Sequence, residues 1–244
     1  MSGPRPLPAT SPFAHDDGTA DPALADVLAR HAEGRADVAD VVAALADARL
    51  IVAILPHGRE AVPTDAASRA AYDPARSQAA VVGMAAQDGR GAMPVFTSVA
   101  ALAAWRADAR PVPTPAGQAA QGALAEGWQL LVLDPAGPVT VRVPRPAVVA
   151  LSEGGPWRPA VRAGVVDDEV AAAVAAALAG VDALAGCGVA PGQRGEVAID
   201  LAVRPGLDRP GLEAVVARVN EALAADATIA ERVDSLELRV RPAG

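Results

Sequence analysis

Three histidines, one cysteine and one run of acids are the side chains of this chain with chemistry at neutral pH most readily in reach. Imidazole is the commonest general acid or base at that pH. His15 lies in a proline-rich leader, and His31 stands where a first helix should end, a place where an imidazolium simply favours the negative end of the helix dipole. His57 differs, because Pro56-His57-Gly58-Arg59-Glu60 follows an apolar run of strand length, where α/β proteins often carry functional loops. No nucleophile or metal partner stands at a recognisable spacing from it.

Cys187, in Ala185-Gly186-Cys187-Gly188-Val189, would need a cationic or imidazole neighbour to become a thiolate, and the nearest basic residue in sequence is Arg194. It therefore reads as a small buried cysteine. Asp167-Asp168-Glu169 could hold a cation, but three acids at a helix start complement its dipole without one. GxxxxGK[ST], GxGxxG and GxSxG are all missing, so the usual phosphate cradles and the hydrolase elbow are not encoded. The expectation is a chain with no catalytic residue, no metal and no cofactor. Its candidates for meeting a partner are Trp105 and Trp157, which are costly to expose, and His57 in its loop.

The elements that must position these residues can be read from periodicity. Over 244 residues the chain is 52% hydrophobic and 20% charged, a globular composition with few aromatic residues. All its basic residues are Arg, and its net charge of −8 provides no basic face for a nucleic acid. A single cysteine fits a reducing compartment, and neither a signal peptide nor a strongly apolar span is evident, so a cytoplasmic protein without a membrane partner is expected.

Asp21-Pro22 and Asp37 begin two helices, and Leu50 to Leu55 reads as a strand covered on both faces. Gly58 to Ser77 reads as a loop. Strands at Ala79–Met84 and Met93–Phe96 are joined across Asp88-Gly89, a hairpin signal. Ser98 caps a helix carrying Leu102 and Trp105, and Thr114-Pro115 reads as the start of another after a proline-punctuated crossing. Leu130–Leu133 and Val139–Arg142 form a second hairpin around Asp134-Pro135-Ala136-Gly137-Pro138.

Ser152 to Pro159 reads as a boundary. Beyond it, Asp167 caps a helix, Val197 to Val203 alternate on a half-wet strand, Asp208-Pro210 open a helix with Leu212, Val215, Val216, Val219 and Leu223 inward, and Leu236, Leu238 and Val240 alternate on a last strand. The expected architecture is mixed α/β (α+β): a disordered leader over 1–20 and two small α/β sandwich domains over 21–152 and 160–244. The first should hold a mixed sheet; the second should hold an antiparallel or mixed sheet with helices on one face.

Gly91-Ala92-Met93-Pro94-Val95-Phe96-Thr97-Ser98, with Leu102, Trp105 and the proline cluster up to Thr114-Pro115, resembles the signature of the SseB N-terminal domain. The buried strand at Leu50–Leu55 and the later Leu-Leu-Val-Leu-Asp-Pro hairpin match it in order. The likeness covers about 36–151, and the region after Pro159 resembles the family's smaller C-terminal domain less clearly. It implies a bacterial, cytoplasmic α/β protein with no established catalytic residues. The expected function is a non-enzymatic protein-interaction or regulatory role, with a protein partner and room for a homo-oligomer. The alternative is a small-molecule-binding protein or small enzyme that uses the His57 loop, linked to amino-acid or sulfur metabolism.

Overall fold

The computed structural model describes residues 13, 16–55, 80–81, 83–86 and 88–243. His57 and the rest of its loop, His15, and residues Ala79 and Val82 of the predicted strand lie outside the described residues.

Helix α1 (Pro22–Ala32) starts where Asp21 accepts from the Ala23 and Leu24 amides at 2.9 and 3.0 Å, satisfying donors that have no partner inside the helix. Helix α2 (Val38–Ala46) opens on a reciprocal cap: Asp37 accepts from the Asp40 amide, and the Asp40 carboxylate accepts from the Asp37 amide. Both helices turn apolar stripes onto strand β1 (Arg49–Leu55), whose residues Leu50 to Ala53 are all buried.

Strand β1 pairs antiparallel with β4 (Gly91–Phe96) and with β5 (Arg110–Pro115), and its end meets the short β2 (Ala80–Val81). Strand β3 (Met84–Ala85) forms the predicted hairpin with β4. Gly89 turns this hairpin at φ +82°, a conformation that favours glycine. Strand β4 runs parallel to β6 (Leu130–Leu133), which pairs antiparallel with β7 (Val141–Val143), so the first sheet is mixed. Between these strands lie α3 (Val99–Trp105) and α4 (Ala116–Ala125), and α5 (Arg145–Glu153) follows β7. Helices α1, α2, α4 and α5 cover one face over Leu50, Val52, Met93, Val95, Leu131 and Leu133. On the other face α3 lays Leu102 over Ile51, Ala53 and Phe96.

The segment from Arg110 departs from expectation. Thr114-Pro115 does not cap a helix with its side chain; it ends strand β5, and α4 begins at Ala116. The reason is the two-residue spacing of Pro111, Pro113 and Pro115. A strand paired on one side only can tolerate prolines on the side without hydrogen bonds, and among the described residues β5 pairs with β1 alone.

After a two-stranded hairpin of β8 (Val161–Arg162) and β9 (Val165–Val166) comes α6 (Asp168–Leu178). Strand β10 (Leu184–Pro191) then pairs antiparallel with β11 (Val197–Val203), which runs parallel to β12 (Leu236–Pro242). This second sheet is therefore mixed. Helices α6, α7 (Arg209–Ala225) and α8 (Ala227–Arg232) give Val170, Val174, Leu178, Val215, Val219, Leu223 and Ile229 to a core shared with Val197, Ile199, Leu201 and Val203. Two positions read as inward differ: Leu212 is exposed, and Val216 is only half-buried.

The last strand also departs from simple alternation. Glu237 is buried while Leu236 and Val240 are exposed, because the Glu237 carboxylate accepts from the Gln193 and Arg194 amides at 2.9 Å each and so pins the β10–β11 turn. At the chain start, Asp16, read as part of a disordered leader, lies 2.5 Å from Arg49, which also donates to the Thr19 and Thr97 carbonyls. Among the described residues, no helix is long and apolar enough to cross a membrane.

Candidate functional site at the Trp157 seam

Helix α5 ends at Gly154, whose φ of 70° closes the last turn, and the chain then runs through Gly155, Pro156 and Trp157 into the second sheet's residues. Trp157 is half-buried and packs on the first core beside α2 and α5. Four surface depressions meet at its ring. One of about 550 Å³ lies between α5 and α8, lined by Arg145, Val149, Arg158, Glu231 and Arg232. Another of about 600 Å³ lies between α2 and the β10–β11 turn, lined by Asp37, Arg142, Arg194 and Glu196. Smaller ones of about 440 and 320 Å³ lie toward β9 and along α2. The indole Nε1 is itself buried and has no hydrogen-bond acceptor among the described residues. A buried donor of this kind costs about 1–3 kcal/mol until something accepts from it.

The walls of this seam are held by ion pairs. Arg90, delivered by the β3–β4 turn, donates to both oxygens of Asp234 at 2.8 and 2.7 Å, and the Arg145 amide at the start of α5 donates to the same carboxylate at 3.0 Å. The hydrogen bond from Arg90 to Asp234 is the main reason the Arg90 guanidinium is held even more firmly protonated than usual. Glu196 accepts from the Asp234 amide at 2.7 Å; burial is the main cause that raises its pKa. On the other flank, Arg232 donates to Asp167 at 2.9 Å and to Glu169 at 3.0 Å, and Arg158 reaches Glu169 at 2.9 Å. The acidic run is thus occupied by a helix cap and two arginines. The Asp167 carboxyl is held below its usual range by Arg232 first.

Two residues on the rim contrast with these. Arg145 is exposed, and among the described residues its guanidinium has no ion-pair partner; Glu231 stands likewise on the opposite wall. The rim therefore offers one free cation and one free anion, among the described residues, on either side of an apolar floor of Pro146, Val149 and Trp157.

The other residues singled out from the sequence are dispersed. Trp105 is half-buried and packs on Phe96 with ring centroids 5.3 Å apart. His31 lies in the last turn of α1, its Nδ1 2.9 Å from the Ala36 carbonyl oxygen. His57 lies outside the described residues. Cys187 is exposed on β10, a correction to its reading as a buried cysteine in a loop. The alternating glycines admit a strand, and Cys187 sits on its poorly covered outer part. Among the described residues, no three His, Cys, Asp or Glu side chains are grouped to hold a metal ion.

Sequence reasoning missed Asp134 and Asp234, whose partners are distant in the chain. Asp134, at φ 47°, accepts from the Thr97 amide at 2.9 Å and from the Thr97 hydroxyl at 2.7 Å. This pair locks the end of β4 to the end of β6, and it makes every residue of the Phe96-Thr97-Ser98 turn structural. Phe96 fills the core, Thr97 grips Asp134, and Ser98 caps α3 with its hydroxyl on the Ala101 amide.

Neither the search of curated proteins nor that of solved structures returned a match. The family model of the SseB protein N-terminal domain does match, over residues 24–150, which run from within α1 to within α5 and include the whole first sheet. With more than half of its length covered by that model, the chain belongs to the SseB family.

Proposed function

We propose that this SseB-family chain is a non-enzymatic interaction protein that takes a protein segment into the grooves around Trp157. The single observation that carries the reading is the half-buried Trp157 indole at the meeting point of four depressions, beside the Arg145 and Glu231 side chains that have no ion-pair partner among the described residues. Tryptophan and arginine are the residue types most enriched where binding energy concentrates, and here Arg145 and Arg158 flank the ring. The grooves are open and shallow, which suits a peptide or loop better than an engulfed metabolite. An extended segment would lay apolar groups on the exposed part of the Trp157 ring, on Val149 and on Pro146, and supply an acid to Arg145.

A photo-crosslinking amino acid at Glu231, on the groove wall, tests this in the full-length chain in its source cells. The expected result is a discrete adduct that is absent when the crosslinker replaces Glu221 on α7 and lost in Trp157→Ala. Identical adducts from both positions, or none from Glu231, contradict the proposal.

A further inference from the structure

Helix α5 lays three side chains along the groove that it forms with α8: Arg145, Val149 and Glu153, spaced by four residues and therefore stacked on one face. Arg145 stands in the first turn and Glu153 in the last. Each is the charge that its end of a helix disfavours, because the amides of the first turn carry partial positive charge and the carbonyls of the last turn partial negative charge. Both side chains are exposed, and neither has an ion-pair partner among the described residues. The stability of the helix gives no reason for either charge, whereas a ligand of complementary charge does.

The other charges along this groove are mostly taken. Arg158 reaches Glu169, Arg232 is held by Asp167 and Glu169, and the Asp234 carboxylate at the start of α5 is gripped by Arg90. Glu231 stands off the row, on the α8 wall. The row on α5 is thus a cation, an apolar step beside the Trp157 ring, and an anion.

Its spacing states what a ligand must look like. From Arg145 to Glu153 is eight residues, about 12 Å along the axis at about 1.5 Å per residue. An extended chain covers about 13 Å in four residues, and its side chains at i, i+2 and i+4 lie on one face. The same five residues coiled as a helix would span only about 6 Å and miss one of the charges.

We propose that the groove takes an extended segment of a partner protein that carries an acidic, an apolar and a basic residue at alternate positions. The acid meets Arg145, the apolar side chain lies on Val149 and the Trp157 ring, and the base meets Glu153. This rests on the reading of the seam as a protein-binding groove and adds the sequence that the groove selects: acid-x-apolar-x-base, in either chain direction.

The test titrates the full chain into fluorescein-labelled peptides, read by anisotropy, with Glu-Ser-Leu-Ser-Arg at the centre of a Gly-Ser host. Affinity should fall about tenfold or more when the two charges are set three residues apart, on opposite faces of the extended chain, or when both have the same sign. Arg145→Glu should reject the original peptide and take the one with Arg at both charged positions. Glu153→Arg should take the one with Glu at both. These exchanges of exposed side chains leave the core untouched. Equal affinity for all the peptides, binding of none, or preferences unmoved by the two reversals overturns the proposal. Glu231 crosslinks that map to a partner segment without this register, or to a second copy of this chain, also overturn it while the interaction reading stands; absence of those crosslinks is the separate failure of that reading.

Discussion

Arg90 grips Asp234 with two parallel hydrogen bonds of 2.8 and 2.7 Å across 144 residues of chain, and so ties the β3–β4 turn of the first sheet to the residue that leads into β12 of the second. The Asp234 side chain is only 4% exposed, so the pair is shielded from solvent and salt on one side. The walls of the Trp157 seam are spaced by this latch.

Asp234→Ala should therefore act on both stability and the seam. Removing one partner of a shielded pair leaves the other uncompensated, and a loss of about 3 kcal/mol is expected in urea unfolding. Proteolysis in the Gly154–Pro159 connection should accelerate as the two sheets separate. A variant that unfolds like the native chain would show that the latch does not couple them.

The Thr97–Asp134 pair predicts a pH effect of definite sign. Burial is the main cause that raises the Asp134 pKa above its ordinary 3.8, against which the two Thr97 hydrogen bonds act. A raised value in the folded state means that the stabilisation from the protonated form is fully present below 3.8 and is lost as pH rises through the folded value. Relative to Asp134→Asn, the native chain should lose stability over that rise, as read from urea midpoints at a series of pH values. Asp134→Ala should cost about 2–4 kcal/mol at neutral pH, because it orphans two Thr97 donors and places a Cβ without a polar partner at positive φ.

Glu237 predicts the opposite slope. Its hydrogen bond from Arg239 first, then those from the Arg194 and Gln193 amides, lower its pKa from 4.5 to about 2. The stabilisation is present above 4.5 and is lost as pH falls toward 2, so Glu237→Gln should flatten the acid limb of the stability curve. An unchanged limb would show that the β10–β11 turn is not held by this carboxylate.

Much of the architecture was legible because it rests on short-range patterns. Aspartate caps at positions 21, 37, 167 and 208, the Asp88-Gly89 hairpin, and the alternation of Val197 to Val203 each report their own few neighbours. The reading failed where a local pattern had two meanings. Proline after threonine starts helices, but three prolines spaced by two mark an edge strand, and only pairing with β1 decides between them. Glycines around Cys187 suit a loop and a bare outer strand equally. The Trp157 seam was legible only as a suspicion about an aromatic residue in a linker. Its walls depend on Arg90 and Asp234, whose pairing no window of sequence contains.

Trp105 and Trp157 separate packing from recognition. The Trp105 ring contributes to the small cluster around Phe96, so Trp105→Ala should lower stability by about 2–4 kcal/mol while leaving the seam's crosslinks intact at temperatures where the variant is folded. Loss of crosslinking in a folded Trp105→Ala variant would move the partner's footprint to α3.

The most direct measurement is calorimetric titration of the crosslinked partner, once purified, into the native chain and into folded Trp157→Ala. Recognition centred on the indole predicts weakening of about thirtyfold or more, the equivalent of a contact of about 2 kcal/mol. Equal affinity for the two chains would contradict the account.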